Sequence, residues 1–253
     1  MIDPATPSPR VGAPASARAL DLIGGAAVAA ASTVPAWWLL GGPVSLPLTV
    51  GLLYAALAIT IARALPPDAP GPGLGDANRV TLLRAALVLP VLALAAQPVG
   101  VDDAVAWWVI VVSTVAMLLD GVDGRVARRT GTETAFGARF DMELDAALIL
   151  ALCVLVWADG KAGAWVLLIG LMRYGFVAAG WVVPAFRADL PESLRRKVVC
   201  VVQGVVLLVA LGPIIPGPLA TAACAGGLAG LTYSFAVDVV WLLRAADRGV
   251  PAG

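Results

Sequence analysis

Histidine is absent from the 253 residues. Its absence removes Ser-His and Cys-His nucleophilic pairs, imidazole bases and histidine metal ligands, so acid–base or metal chemistry must fall to carboxylates. Charge is scarce too: 13% of residues are charged and 60% hydrophobic, with a mean hydropathy of +0.91. The formal net charge is zero, which argues against a nucleic-acid partner. Cysteine is limited to Cys153, Cys200 and Cys224, far apart and each inside an apolar run. They lack metal-ligand spacing and are expected to be small core residues. A soluble domain of this length does not need so much apolar surface, so the expected fold class is an all-α polytopic membrane protein.

Crossing the hydrocarbon core takes about 20 apolar helical residues. On that measure the chain offers eight spans, near 19–40, 46–64, 80–97, 104–119, 141–158, 163–183, 197–213 and 219–243. The third and fourth are short, so their polar ends are expected to reach into the membrane. A Pro/Ala/Ser-rich stretch opens the chain without the pattern of a cleaved signal. The Pro/Gly/Asp-rich run PPDAPGPGLGDA breaks helix between the second and third spans. The expected organisation is a disordered tail at 1–18, two helices at 19–65, a linker at 66–77, a six-helix domain at 78–244 and a tail at 245–253.

Basic residues fix the expected orientation. Arg10 and Arg18 precede the first span, and Arg63, Arg79 and Arg84 flank the second connection. Arg125, Arg128, Arg129 and Arg139 fall in the fourth connection, Arg187, Arg195, Arg196 and Lys197 in the sixth, and Arg244 and Arg248 after the last span. The alternate connections carry only Lys161. By the positive-inside rule, both termini and the charged stretch face the cytoplasm of a multi-pass protein of the cell (inner) membrane. Trp37-Trp38 and Trp107-Trp108, near span ends, read as an interfacial belt.

The stretch DGVDGRVARRTGTETAFGARFDMELD, residues 120–145, concentrates the charge between apolar helices. If one helix continues past Asp120, then Asp120, Asp123, Gly124 and Ala127 share a wedge about 100° wide. Two carboxylates then stand beside a gap without bulky side chains, with Arg128 at its edge where it can meet a phosphate. On the next helix, Gly137, Asp141 and Asp145 recur four apart along one face. Four carboxylates facing a common site need counter-ions, and all-oxygen ligation favours Mg²⁺ or Mn²⁺ over Zn²⁺. Two ions roughly 3.5–4 Å apart would suit displacement at phosphorus. The plainer alternative is a set of Asp–Arg ion pairs at a helix hairpin.

The stretch resembles the signature of the CDP-alcohol phosphotransferase family, D-x2-D-G-x2-A-R-x8-G-x3-D-x3-D. Asp120, Asp123, Gly124, Ala127, Arg128, Gly137, Asp141 and Asp145 occupy every fixed position. The resemblance covers the six spans from about Asn78 onward and leaves two extra transmembrane helices before them. It implies a six-helix membrane core, with the site open to the cytoplasm. The implied reaction moves a phosphatidyl-type group from a CDP-linked lipid, usually CDP-diacylglycerol, to an alcohol, releasing CMP. It also implies that Asp120, Asp123, Asp141 and Asp145 hold a pair of metal ions, with Asp145 also the base for the acceptor hydroxyl. Gly124, Ala127 and Arg128 would accommodate the cytidine nucleotide, and Gly137 would keep the facing wall open. Members are often homodimers.

Asn78, Thr81 and Arg84 resemble the N-x2-T-x2-R opening of the family's first core helix and would touch the nucleotide; alternatively, Asn78 is a helix N-cap with interfacial arginines behind it. Arg195-Arg196-Lys197, followed by Gln203, resembles the family's Gly-Lys segment, but Arg196 stands where glycine is usual. These cations would hold a phosphate of the acceptor or of anionic lipid, or simply anchor the helix at the membrane face. Arg173 and Asp238 lie inside apolar runs, and Glu143 points away from the Asp141/Asp145 face. Arg173 is expected to pair with Glu143 or Asp238 in support of the site, with a substrate contact by Arg173 as the alternative. Glycerol 3-phosphate is the first expectation for the acceptor, ahead of inositol phosphate or serine. Intramembrane Asp and Arg also mark ion pathways, so the rival class is a cation or proton transporter. A catalytically dead scaffold is disfavoured because no signature position is lost.

Overall fold

The computed structural model of the chain describes residues 15–64, 73–97, 100–130, 135–188, 190–191 and 193–247. The side chains at 15–16, 76–77, 122–130, 135–136, 138 and 247 fall outside that description. The described residues form helices and connecting turns. The helices are α1 (Ala15–Leu39), α2 (Ser45–Ala64), α3 (Asp76–Ala95), α4 (Asp103–Thr130), α5 (Ala135–Ala158), α6 (Leu167–Val182), α7 (Leu194–Leu211) and α8 (Gly217–Asp247), with short 3-10 turns at Ala164–Val166 and Pro184–Arg187. Each expected span corresponds to one of them. A lipid environment explains this economy, because a segment without water must satisfy its backbone groups internally.

Among the described residues, six segments are long and apolar enough to cross a membrane: Ala17–Leu39, Ser45–Ala64, Asn78–Ala95, Asp103–Gly121, Ala164–Val182 and Gly217–Ala246. The remaining helices, α5 and α7, are interrupted by charge. α5 carries Arg139, Asp141, Glu143 and Asp145 in its first half, and α7 opens on Arg195-Arg196-Lys197. Large apolar side chains such as Leu52, Leu118, Trp38 and Val182 are exposed, as a lipid-facing surface requires. α3 is the exception, with 61% of its apolar span buried, against 22–33% for the other five. It is therefore the most enclosed of the six.

Three boundaries differ from expectation. α1 begins within the tail expected at 1–18, α3 begins at Asp76, inside the expected linker, and α8 runs to Asp247, into the tail expected at 245–253. The rest of that tail, the linker residues 65–72 and the C-terminal residues 248–253 lie outside the described residues. α4 does run on past Asp120, through Thr130, so the first half of the signature lies on one continuous helix. Cys153 and Cys224 are buried, but Cys200 is exposed, so only two of the three cysteines are core residues. An apolar run in a membrane helix has a lipid side as well as a protein side.

The chain divides into two compact units, Met1–Pro90 with Val115–Met142, and Val91–Thr114 with Glu143–Gly253. In the first, Gly41 (φ 75°) and Gly42 (φ 80°) turn the chain from α1 into α2. The Tyr54 hydroxyl of α2 then donates to the Leu22 carbonyl of α1 at 2.5 Å. In the second unit, α7 and α8 lie side by side, and buried Gln203 donates from Nε2 to the Gly227 carbonyl at 2.9 Å. At the α5–α6 turn Lys161 donates to the Gly212 carbonyl at 2.6 Å and lies 3.4 Å from Asp159. Burial pushes the Asp159 carboxyl up from the usual range, with the Lys161 charge opposing it.

α5 and α6 touch most closely at Gly170, where an added Cβ would stand 2.6 Å from the Leu150 Cα. Backbone cannot yield as a flexible side chain can. Gly170→Ala is expected to cost about 1–3 kcal/mol of stability, read as a lowered thermal midpoint in detergent. Gly175→Ala, on the same helix with open space around it, should leave the midpoint unlowered.

Candidate active site

In the first unit the charged stretch is built around one buried arginine. Arg84 of α3 is only 2% exposed. Its Nε donates to the Ala116 carbonyl of α4 at 3.2 Å. Its Nη1 lies 3.0 Å from Asp120 Oδ1 of α4 and also donates to Asp141 Oδ1 of α5. One guanidinium therefore joins three helices. Arginine suits this position because it stays charged in low dielectric and offers donors in several directions. Asp120 and Asp141 remain over one-third exposed (39% and 35%).

Asp145 lies one turn beyond Asp141 on α5. The helical repeat alone puts the two carboxylates on one face. One oxygen from each of Asp120, Asp141 and Asp145 lies within 4.8 Å of the others, and all three residues are half-buried. Carboxylates that close repel unless cations lie between or beside them. The donor set is entirely oxygen, which fits a hard divalent cation such as Mg²⁺ or Mn²⁺.

The other expected site residues fall in different places. Asp123, Gly124, Ala127 and Arg128 lie on α4, but their side chains are outside the described residues. Gly137 is half-buried near the start of α5. Asn78 is no N-cap, because α3 already begins at Asp76; its Nδ2 donates to the Leu74 carbonyl at 2.8 Å. Thr81 is buried on α3. Arg84, for which the sequence offered a nucleotide contact or an interfacial position, has its guanidinium among the acids.

In the second unit Arg173 Nη2 donates to Glu143 Oε1 at 2.5 Å. Of the two partners expected for Arg173, the structure shows Glu143. That carboxylate lies off the Asp141/Asp145 face, as the helical spacing requires. Asp238 is engaged elsewhere: its Oδ1 accepts from Arg195 Nη2 at 2.5 Å and lies 3.3 Å from Arg196 Nη1. Arg195 also donates to Ser234 Oγ at 2.8 Å, and Arg196 to the Pro191 carbonyl. Two guanidinia share one carboxylate, and Lys197 is exposed next to them.

Sequence reasoning missed Asp21. It is a single acid in the apolar run ALDLIGG of α1, and it accepts hydrogen bonds from Arg79 Nε at 2.9 Å and the Leu74 backbone N–H at 2.8 Å. A lone carboxylate near the start of a membrane helix was the available signal.

An all-helical membrane chain with clustered carboxylates and a buried arginine on adjoining helices has the makings of an oxygen-ligand metal site rather than of a histidine or cysteine one. A sequence profile of the CDP-alcohol phosphatidyltransferase family matches residues 76–237, and the chain belongs to that family. It is a membrane phosphotransferase of phospholipid synthesis, which transfers a phosphatidyl group from a CDP-alcohol. No curated protein and no solved structure matches the chain.

Arg84→Met removes the shared counter-charge and leaves two carboxylates facing each other. The variant should lose about 2–3 kcal/mol of stability, measured by thermal melting in detergent. Adding Asp120→Asn to Arg84→Met should recover part of the loss, because one of the repelling charges is gone.

Proposed function

We propose that the chain transfers the phosphatidyl group of CDP-diacylglycerol to the free hydroxyl of glycerol 3-phosphate, releasing CMP and forming phosphatidylglycerophosphate. The observation that carries the reading is the set of carboxylates from Asp120, Asp141 and Asp145 on two adjoining helices within the matched segment. Asp120, Asp123, Asp141 and Asp145 would hold one or two ions of Mg²⁺ or Mn²⁺. When bound, such ions supply positive charge to the diphosphate and to the leaving CMP.

The remaining work falls to the chain's own side chains. Asp145 accepts the proton of the acceptor hydroxyl as that oxygen bonds to the lipid-side phosphorus, and the bond from that phosphorus to CMP breaks. Gly124 and Ala127 leave room for the cytidine, Arg128 and Asn78 donate to its phosphates or base edge, and Thr81 lies on the same side of α3. Gly137 keeps the opposite wall open. Arg84 holds Asp120 and Asp141 at a fixed separation, so that little reorganisation accompanies binding.

Support for a phosphorylated acceptor comes from the Arg195–Arg196–Lys197 cluster, where Asp238 balances only one of the two guanidinia. Guanidinium groups match phosphate oxygens well. The paired Arg173 and Glu143 carry no excess charge and serve as a support for α5. The distribution of basic residues favours a site facing the cytoplasm, and a second copy of the chain is the partner the family reading suggests.

Purified protein in mixed micelles with CDP-diacylglycerol should release CMP only when Mg²⁺ or Mn²⁺ and an acceptor are present. Asp145→Asn should lower turnover by about 10²–10⁴-fold. A product found with glycerol 3-phosphate, and not with inositol phosphate or serine, supports the acceptor assignment; the reverse pattern overturns it while keeping the reaction. Cation flux into vesicles without CMP release would replace the whole reading with a transporter.

A further inference from the structure

The helices α1 and α2 precede the segment that matches the family, residues 76–237, yet α1 is bound closely to the start of α3. Asp21 holds two groups there. Its Oδ2 accepts the Leu74 N–H at 2.8 Å, and its Oδ1 accepts from Arg79 Nε at 2.9 Å. The Asp21 side chain is only 14% exposed, so this charge is largely shielded and depends on those donors. Leu74 is buried and lies between Gly73 (φ 71°) and Gly75 (φ 81°), both left-handed positions. A side chain at Gly73 would collide with the Asp21 carboxylate. The Leu74 carbonyl in turn accepts from Asn78 Nδ2 at 2.8 Å. The turn before α3 is thus held from both ends of one residue, by α1 on its N–H and by α3 on its carbonyl.

The contact continues along the two helices. A Cβ at Gly25 of α1 would lie 2.9 Å from Leu82 Cγ of α3. Ser32 Oγ of α1 is 3.4 Å from the Ala86 carbonyl of α3. Such closeness permits neither helix to slide without losing both polar and packing contacts. Asn78 is one residue from Arg79 and one hydrogen bond from Leu74, so its position follows the Asp21 contacts directly. Arg84 lies about 7–8 Å further along the helix axis and is fixed by its own ion pairs.

We propose that Asp21 is a positioning residue for the transferase: α1 sets the placement of Asn78, and through it the nucleotide end of the CDP-lipid, by holding the Leu74 turn and Arg79. The proposal rests on the reaction described under Proposed function. It gives α1 a part in substrate binding that acts through α3. Asp21→Ala removes both hydrogen bonds. Asp21→Asn retains an acceptor for the Leu74 N–H and loses the charge opposite Arg79, and Asp21→Glu keeps the charge at a changed reach.

The experiment combines hydrogen exchange with steady-state kinetics on the full chain in detergent–lipid micelles. In Asp21→Ala, exchange of the amides of 74–81 should rise at least about tenfold while that of α7 and α8 is unchanged. KM for CDP-diacylglycerol should rise roughly tenfold with kcat within about threefold. Asp21→Asn should fall between Asp21→Ala and the wild type, and Asp21→Glu should restore part of the KM. Unchanged exchange at 74–81 would overturn the proposal, as would raised exchange there with an unaltered KM. Raised exchange throughout the chain, with kcat falling in step with the folded fraction, would reduce Asp21 to a structural role and also overturn it. If the wild type releases no CMP with any acceptor, the transferase reading fails on its own. The exchange data still show whether Asp21 fixes the turn.

Discussion

A charge placed at bilayer depth must find its opposite within hydrogen-bonding distance, and Arg84 is where this chain meets that requirement most fully. The guanidinium is almost wholly buried, and it contacts Asp120, Asp141 and the Ala116 carbonyl. In a low-dielectric setting the penalty for an unpaired arginine is several kcal/mol. The helices that supply its partners are therefore not free to drift apart. The arrangement places negative oxygens in a common region, and it keeps them there before any further cation arrives. The signature acids owe their proximity to helix α3, which lies before the signature in the chain.

The same requirement organises several other charges among the described residues. Asp21 is matched by Arg79, Glu143 by Arg173, Asp159 by Lys161, and Asp238 by Arg195 and Arg196. Asp21–Arg79 and Glu143–Arg173 tie their elements together as single pairs. Arg84 instead serves two carboxylates, and Asp238 serves two guanidinia. A shared partner fixes several groups relative to one another at once.

Helical spacing made a good part of this legible in the sequence. The eight apolar runs became eight helices, α4 continued past Asp120, and Glu143 turned away from Asp141 and Asp145 because residues two apart lie on opposite sides of a helix. Spacing says nothing about which helix lies opposite. The sequence motif could not show that Arg84 has partners on α4 and α5. The N-cap alternative for Asn78 fails because α3 starts before it, at Asp76. Cys200 looked buried because an apolar run does not declare its lipid face. Asp21 went unremarked because its partners, Leu74 and Arg79, lie across a loop and on another helix.

The Asp21 hydrogen bonds also bear on where the chain can be cut and rejoined. A chimera joined at the edge of the family match would inherit every signature residue, yet the turn at Leu74 would meet a foreign helix with no carboxylate waiting for it. The natural graft point lies upstream of α1. A module moved intact from this chain would therefore begin before residue 76, where the family match starts.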